Sequence, residues 1–185
     1  MWLFYIVWFI WVGSEIVLNV FTRSKNFKSR QYDGGTLKQI WITITLSVIL
    51  AVFVSKSYYF PISKTIPIAF IGLIIIILGL ILRFVSILSL GKSFTVDVSV
   101  SDEQKIKKDG LYKYVRHPSY LGALLSFLGL GLSINNWISL FLIIIPVTIA
   151  FIKRMDKEEA TLRSHFGKEY QDYIKKTKHI VPYIY

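Results

Sequence analysis

Residues Leu121–Ile152 read LGALLSFLGLGLSINNWISLFLIIIPVTIAFI, an apolar run broken only at Ser133–Asn136. A chain entering lipid at Leu121 can cross, turn at the Asn135 and Asn136 pair and return, because paired asparagines suit a tight connection. Backbone amides in hydrocarbon must find partners within their own segment, so both crossings are helices. The two ends of this hairpin then open on the same side. Flanking them are two polar blocks, GLYKYVRHPSYLG at Gly110–Gly122 and RMDKEEATLRSHFGKEYQDY at Arg154–Tyr173. An arginine, a histidine, tyrosines and paired glutamates therefore meet at the mouth of a membrane hairpin, where a site acting on an amphiphile needs them.

Working outward, three more apolar runs precede the hairpin, at about Trp2–Phe21, Leu37–Ser55 and Ile66–Leu90. A spanning helix takes roughly 20 apolar residues. The expected fold is thus all-α, an integral membrane protein with five transmembrane helices, the last two a helical hairpin, plus a cytoplasmic C-terminal helical segment. Residues 1–90 read as a three-span membrane scaffold, and residues 91–185 as a cofactor-binding loop, hairpin and C-terminal catalytic segment of one integrated domain. Gly72 and Gly79, seven residues apart, should let a neighbouring helix approach the third span closely.

Charge sets the expected orientation. Arg23, Lys25, Lys28, Arg30 and Lys38 follow span one against the single acid Asp33, and eight lysines and arginines lie from Lys153 onward. Basic loops stay inside, so the N-terminus is expected outside and the C-terminus in the cytoplasm. Tyr58, Tyr59 and Phe60 suit the outer interface. The first span has no basic leader and no small-residue cleavage site, so it does not read as a removable signal peptide.

In a chain of 185 residues, 54% hydrophobic, the net charge of +11 is explained by these loops. No nucleic-acid motif accompanies it, and no nucleic-acid partner is expected. The absence of cysteine excludes disulfides and thiolate chemistry, and His117, His165 and His179 have no paired ligand spacing, so no metal is expected.

Two ionisable residues lie inside spans, Glu15 and Arg83, each about seven residues from the cytoplasmic end and hence about 10 Å deep at 1.5 Å per residue. Such groups need a partner or a wet cavity. A mutual ion pair, a place in a substrate cavity and snorkelling to the interface all remain open.

Pro118 suits the first position of the fourth span and pushes His117 toward extended backbone. The free amides there favour an anionic group, with Arg116 and His117 beside them. On spacing alone, Arg116 and Lys113 are equally well read as interface anchors and His117 as a partly exposed polar residue. Arg154 and Glu158 are neighbours on one helix face, which also fits a surface ion pair. Gly167 should cap this helix, and a short helix at Lys168–Lys175 should fold Tyr170 and Tyr173 back on the site.

The ordered blocks G-x-Y-x-x-x-R-H-P-x-Y-x-G and R-x-x-x-E-E-x-x-L-x-x-x-F-G-x-E-Y-x-x-Y, closed by Ile180-Val181-Pro182, resemble the isoprenylcysteine carboxyl methyltransferase family over about Gly91 to the C-terminus. The resemblance implies S-adenosylmethionine as methyl donor, held on the cytoplasmic side. By position it implies that Gln104, Ile106, Tyr112, His117, Pro118, Ser119, Tyr120 and Glu158 contact this cofactor and that Arg154 faces the substrate. Gln104–Lys107, QKIK, departs from the family's histidine and two apolar residues.

In-line methyl transfer asks mainly for alignment of donor and acceptor at about 3 to 3.5 Å. An acceptor carboxylate is already ionised near neutral pH and could pair with Arg154. A hydroxyl acceptor would instead need a base, and Glu159 or His117 is the candidate. The expected partners are the lipid bilayer and a lipophilic or lipid-modified substrate. An NADPH-dependent reductase of the sterol type and a non-catalytic membrane protein of the same fold are the alternatives.

Overall fold

The computed structural model describes residues 2–21, 34–91, 94 and 105–181; the basic segment 22–33, Gln104 and Pro182 lie outside the described residues. Regular structure among them is helical, apart from one isolated parallel bridge between Val115 and Lys178. The helices are α1 (Trp2–Phe21), α2 (Thr36–Ser57), α3 (Ile68–Leu90), α4 (Pro118–Ile134), α5 (Trp137–Phe166) and α6 (Lys168–Lys176), with a 3-10 turn at Gly110–Lys113 before α4. By length and composition α2, α3 and α5 can cross a membrane, while Ile6–Phe21 and Pro118–Ile134 are shorter apolar helices. The places expected for five spans are therefore filled by three long helices and two shorter ones. α4 is short because Pro118 fixes its start and Asn135 its end.

The hairpin turn forms as the asparagine pair predicts. Asn135 adopts the left-handed conformation, φ 53°, which ends α4. Asn136 then caps α5 by accepting from the Ser139 amide at 3.1 Å. The same two side chains stitch the α2–α3 link to this end: Asn135 Oδ1 accepts from the Ile62 and Ser63 amides at 3.0 Å, and Asn136 Nδ2 donates to the Tyr58 carbonyl at 2.7 Å. Both connections thus lie at one end of the bundle. The polar blocks lie at the other.

Two seams set the register. Along α3 and α4, Gly72 and Gly79 face Gly129 and Gly122, so closely that a Cβ on Gly79 would stand 2.6 Å from the Gly122 carbonyl oxygen. A Cβ on Gly122 would in turn stand 2.6 Å from the Arg83 amide nitrogen. The sequence anticipated the first glycine pair and missed its counterpart on α4. The second seam runs antiparallel between α2 and α5. Ser139 Oγ donates to the Ala51 carbonyl at 2.7 Å and Arg154 donates to Thr36 Oγ1, ties that sit 15 residues apart on either helix.

The core follows from these seams: Ile76, Phe127, Ile143, Val147, Phe151 and Met155 are buried between α3, α4 and α5. α1 joins it through Trp11, packed edge to face on Phe127 at 4.9 Å between centroids. Beyond α6 the chain returns to the RHP turn. Lys178 N donates to the Tyr114 carbonyl at 3.0 Å, Arg116 N to the Lys178 carbonyl at 2.8 Å, and His117 N to the His179 carbonyl at 3.1 Å.

Candidate active site

A cavity of about 410 Å³ opens where the two polar blocks meet. Ile106, Tyr112, His117, Ser119, Tyr120, Arg154 and Glu158 all line it, which gathers most of the residues expected to bind cofactor or substrate. Pro118 is fully buried at the first position of α4, behind the wall rather than on it. Tyr170 and Tyr173 of α6 complete the polar chamber, and their three-residue spacing on a short amphipathic helix is the signal that marks them.

The chamber continues into an apolar arm. Trp8 and Trp11 from α1, Ile40, Ile44 and Val48 from α2, and Leu130 from α4 line it. From Ser119 to Leu130 the α4 wall extends about 16 Å at 1.5 Å per residue. A site shaped this way is polar at the hairpin mouth and apolar along the hairpin.

Adjacent glutamates face different surroundings, because consecutive helix positions differ by about a third of a turn. Glu158 turns into the cavity, where Tyr120 Oη donates to it at 3.1 Å. Glu159 is buried on the other side and is not part of the cavity wall. Arg116 Nε donates to it at 2.6 Å and Arg163 Nη2 at 3.0 Å, while His117 Nε2 and His179 Nε2 each lie 3.3 Å from the same carboxylate oxygen as Arg116. Arg116 also donates to the Thr177 carbonyl at 2.6 Å. This carboxylate therefore joins the RHP turn, α5 and the segment after α6. Sequence reasoning missed the arrangement, since its members are spread from Arg116 to His179.

His117, Glu159 and His179 bring three potential metal-ligand atoms within 4.8 Å of one another, an arrangement that the histidine spacing did not disclose. Two guanidinium groups already balance the carboxylate, so a dication would sit against both. The cluster is better suited to holding chain segments together than to holding a metal.

Three bland readings from the sequence are corrected. Arg154 is only 2% exposed, so it is no surface ion-pair residue. Arg116 is committed to Glu159 and Thr177 rather than anchored at an interface, and His117 is buried. Helix packing in each case draws a polar side chain inward toward partners that lie far away in sequence.

Burial, with the charge of Glu158 adding to it, pushes the Tyr112 hydroxyl well above the usual 10.0. Tyr170 is raised by the same two influences, burial first and then the glutamates. Both stay protonated and can only donate or accept hydrogen bonds, so neither is a general base. Tyr112 Oη reaches the Ser86 carbonyl at 3.3 Å, and Tyr173 Oη donates to the Tyr112 carbonyl at 2.6 Å, fixing the 3-10 turn against α3 and α6.

Glu15 and Arg83 form the ion pair that the sequence allowed, and both also line the cavity. Arg83 Nε and Nη2 address the two carboxylate oxygens of Glu15, the second at 2.7 Å, and Nη1 donates to Ser119 Oγ at 3.1 Å.

The family model described as "Isoprenylcysteine carboxyl methyltransferase (ICMT) family" matches residues 71–164, from α3 through most of α5. A rice protein named "Probable protein-S-isoprenylcysteine O-methyltransferase" (Oryza sativa subsp. indica) is 29% identical over 188 residues, which cover 99% of this chain and 96% of that protein. The protein-S-isoprenylcysteine O-methyltransferase of Dictyostelium discoideum is 32% identical over 69% of this chain and 55% of its own length. Among solved structures, the eukaryotic intramembrane Ras methyltransferase ICMT, determined without a monobody, matches with a TM-score of 0.66 and 31% identity, over 80% of this chain and 53% of that one. The chain thus spans nearly all of the rice relative and about half of the other two. The reductase alternative finds no support in these likenesses.

Proposed function

Because the chain belongs to the isoprenylcysteine carboxyl methyltransferase family, we propose that it transfers a methyl group from S-adenosylmethionine to the carboxylate of a lipid-tailed acceptor, in the manner of prenylated cysteine. The single observation that carries this reading is the composite cavity, with its polar chamber at the hairpin mouth and its apolar arm along α4. Pockets of roughly 300 to 1,000 Å³ enclose ligands of drug size, and 410 Å³ falls within that range.

The residues present fit the donor. Glu158, oriented by Tyr120, offers a carboxylate for an amino group or ribose hydroxyls, and Tyr112, Ser119 and Ile106 supply hydrogen-bonding and apolar surface. S-adenosylmethionine brings an electrophilic methyl on a sulfonium, so one O–C bond forms, one S–C bond breaks, and the positive charge is discharged with no proton to move. Alignment and water exclusion then carry most of the rate. Arg154, buried on the cavity wall, holds the acceptor carboxylate. His117 contributes to the wall, and Glu159 keeps the RHP turn in place through Arg116.

No base is required for an acceptor already ionised at neutral pH. That suits Glu159, whose carboxylate is engaged by Arg116 and Arg163, with two histidines beside it. A hydroxyl acceptor would need it free. We further place five crossings in the bilayer, with the N-terminus outside and the cavity mouth in the cytoplasm, supported by the basic residues from Lys153 onward and by both connections at the opposite end. Residues 91–185 carry the methyl transfer in this reading, while residues 1–90 supply the membrane scaffold and part of the cavity wall.

The test is methyl transfer by the purified chain in nanodiscs, with labelled S-adenosylmethionine and either N-acetyl-S-farnesylcysteine, its carboxamide or farnesol. Base-labile label on the free acid alone is expected. Label on farnesol, or binding of NADPH in place of the methyl donor, would overturn the proposal.

A further inference from the structure

Arg83 is the one guanidinium that reaches the cavity from α3. A guanidinium carries five N–H donors in a planar fork. Nε and one Nη2 hydrogen are taken by the two oxygens of Glu15, and Nη1 is shared between Ser119 Oγ at 3.1 Å and the Ser119 carbonyl at 3.3 Å. The second Nη2 hydrogen has no acceptor among the described residues. With Nε and Nη2 engaged side-on by Glu15, that hydrogen points to the end of the guanidinium, next to Nη1.

Position adds to this. Ser119 stands in the first turn of α4, where the polar chamber passes into the apolar arm. A lipid tail lying along α4 toward Leu130 leaves its polar head at the level of Ser119. Arg83 cannot drift from there, because its amide nitrogen lies against Gly122 in the α3–α4 seam and Glu15 holds its side-on face. Even a partly buried pair is costly to desolvate, so one that lines a cavity invites a use for the donor it leaves open.

We propose that Arg83 is a further specificity-determining residue, whose open Nη2 hydrogen donates to the acceptor's carboxylate beside Ser119 while Glu15 orients the guanidinium. This deepens, and rests on, the carboxylate-acceptor reading above. Arg154 then meets the same head group from α5. Glu15 acts through Arg83 and is a positioning residue.

The test reads binding rather than turnover. Trp8, Trp11 and Trp41 line the cavity, so their fluorescence reports ligand entry without any methyl transfer. The probes are N-acetyl-S-farnesylcysteine and its carboxamide. The parent chain should bind the acid about 10- to 100-fold more tightly than the amide, as charge-assisted hydrogen bonds would give. A Glu15→Gln/Arg83→Gln double variant removes both charges without stranding either, and it should reduce that contrast at least about fivefold, leaving the part that Arg154 supplies, while S-adenosylmethionine affinity holds. Arg83→Lys, which keeps the charge but not the fork, should fall between.

An acid-to-amide contrast that is undiminished in the double variant, or that is absent from the parent, overturns the proposal. Loss of S-adenosylmethionine affinity with the contrast intact would assign the fork to the donor's carboxylate, and overturns it as well. A parent that prefers the acid through Arg83 yet transfers no methyl group would sink the methyltransferase reading and leave the fork standing.

Discussion

α1 and the block from Tyr112 to Ile180 handle polarity in opposite ways. Helix α1 sends Trp2, Phe9, Val20 and Phe21 outward and, among its described side chains, contributes one buried core residue, Trp11, with Glu15 joining it to Arg83. The later block buries Arg154, Glu159, His117, His179 and Thr177 and ties Glu159 to Arg116, Arg163 and the histidines. Lipid gives nothing to a polar atom, so the first region carries almost none. The second can carry many because each finds a partner within the protein. Within it, Glu158 turns toward the cavity while Glu159 turns away, and substitutions should separate the two.

The largest effect is expected at Glu159. Replacing it with Ala strands Arg116 with its charge, and removing one partner of a buried pair costs about 3–5 kcal/mol. Melting of the purified protein in detergent should move sharply downward, and activity should vanish with it. Glu158→Ala should leave melting nearly unchanged while S-adenosylmethionine affinity falls about 100-fold, as for loss of strong charge-assisted bonds. Equal melting losses in the two variants would erase the distinction between them.

Tyr120→Phe removes the hydroxyl that orients Glu158 and should weaken donor affinity about tenfold, the low end of what one hydrogen bond to a charged group yields. A pH series sharpens the comparison further. Burial, followed by the neighbouring His117, lowers the His179 pKa below the ordinary 6.5. The stability this gives is therefore present above pH 6.5 and is lost as pH falls through the folded pKa. His179→Gln should flatten melting temperature against pH in that window, whereas substitutions in α1 should not. Smallest of all, Lys108→Ala removes an exposed pair with Glu169 and should change stability by no more than about 0.5 kcal/mol.

Helix placement was legible because hydrophobic length and punctuation are local signals. Trp2–Phe21 coincides with α1, the Asn135–Asn136 turn and the Pro118 start fall where expected, and Gly167 ends α5. The cavity wall was legible through the resemblance, which brought Tyr112, Tyr120, Arg154 and Glu158 together across a hairpin. Hidden were partnerships that cross long sequence separations: Arg154 with Thr36, and Glu159 with both Arg116 and His179. Charge and spacing offered Glu159 a place at the site as a candidate base, beside Glu158 on the donor. Only the angle between adjacent helix positions, set by where α4 and α6 pack, separates them.

The glycine seam between α3 and α4 also bears on traffic. Carbonyls of Gly72, Gly79, Gly122 and Gly129 lie where side chains would otherwise stand, so the two helices act as one rigid plate. A plate cannot part to let a bulky tail through. The α1 side is fastened instead by side chains, Trp11 on Phe127 and Glu15 on Arg83, so this wall of the cavity can shift without breaking a backbone seam.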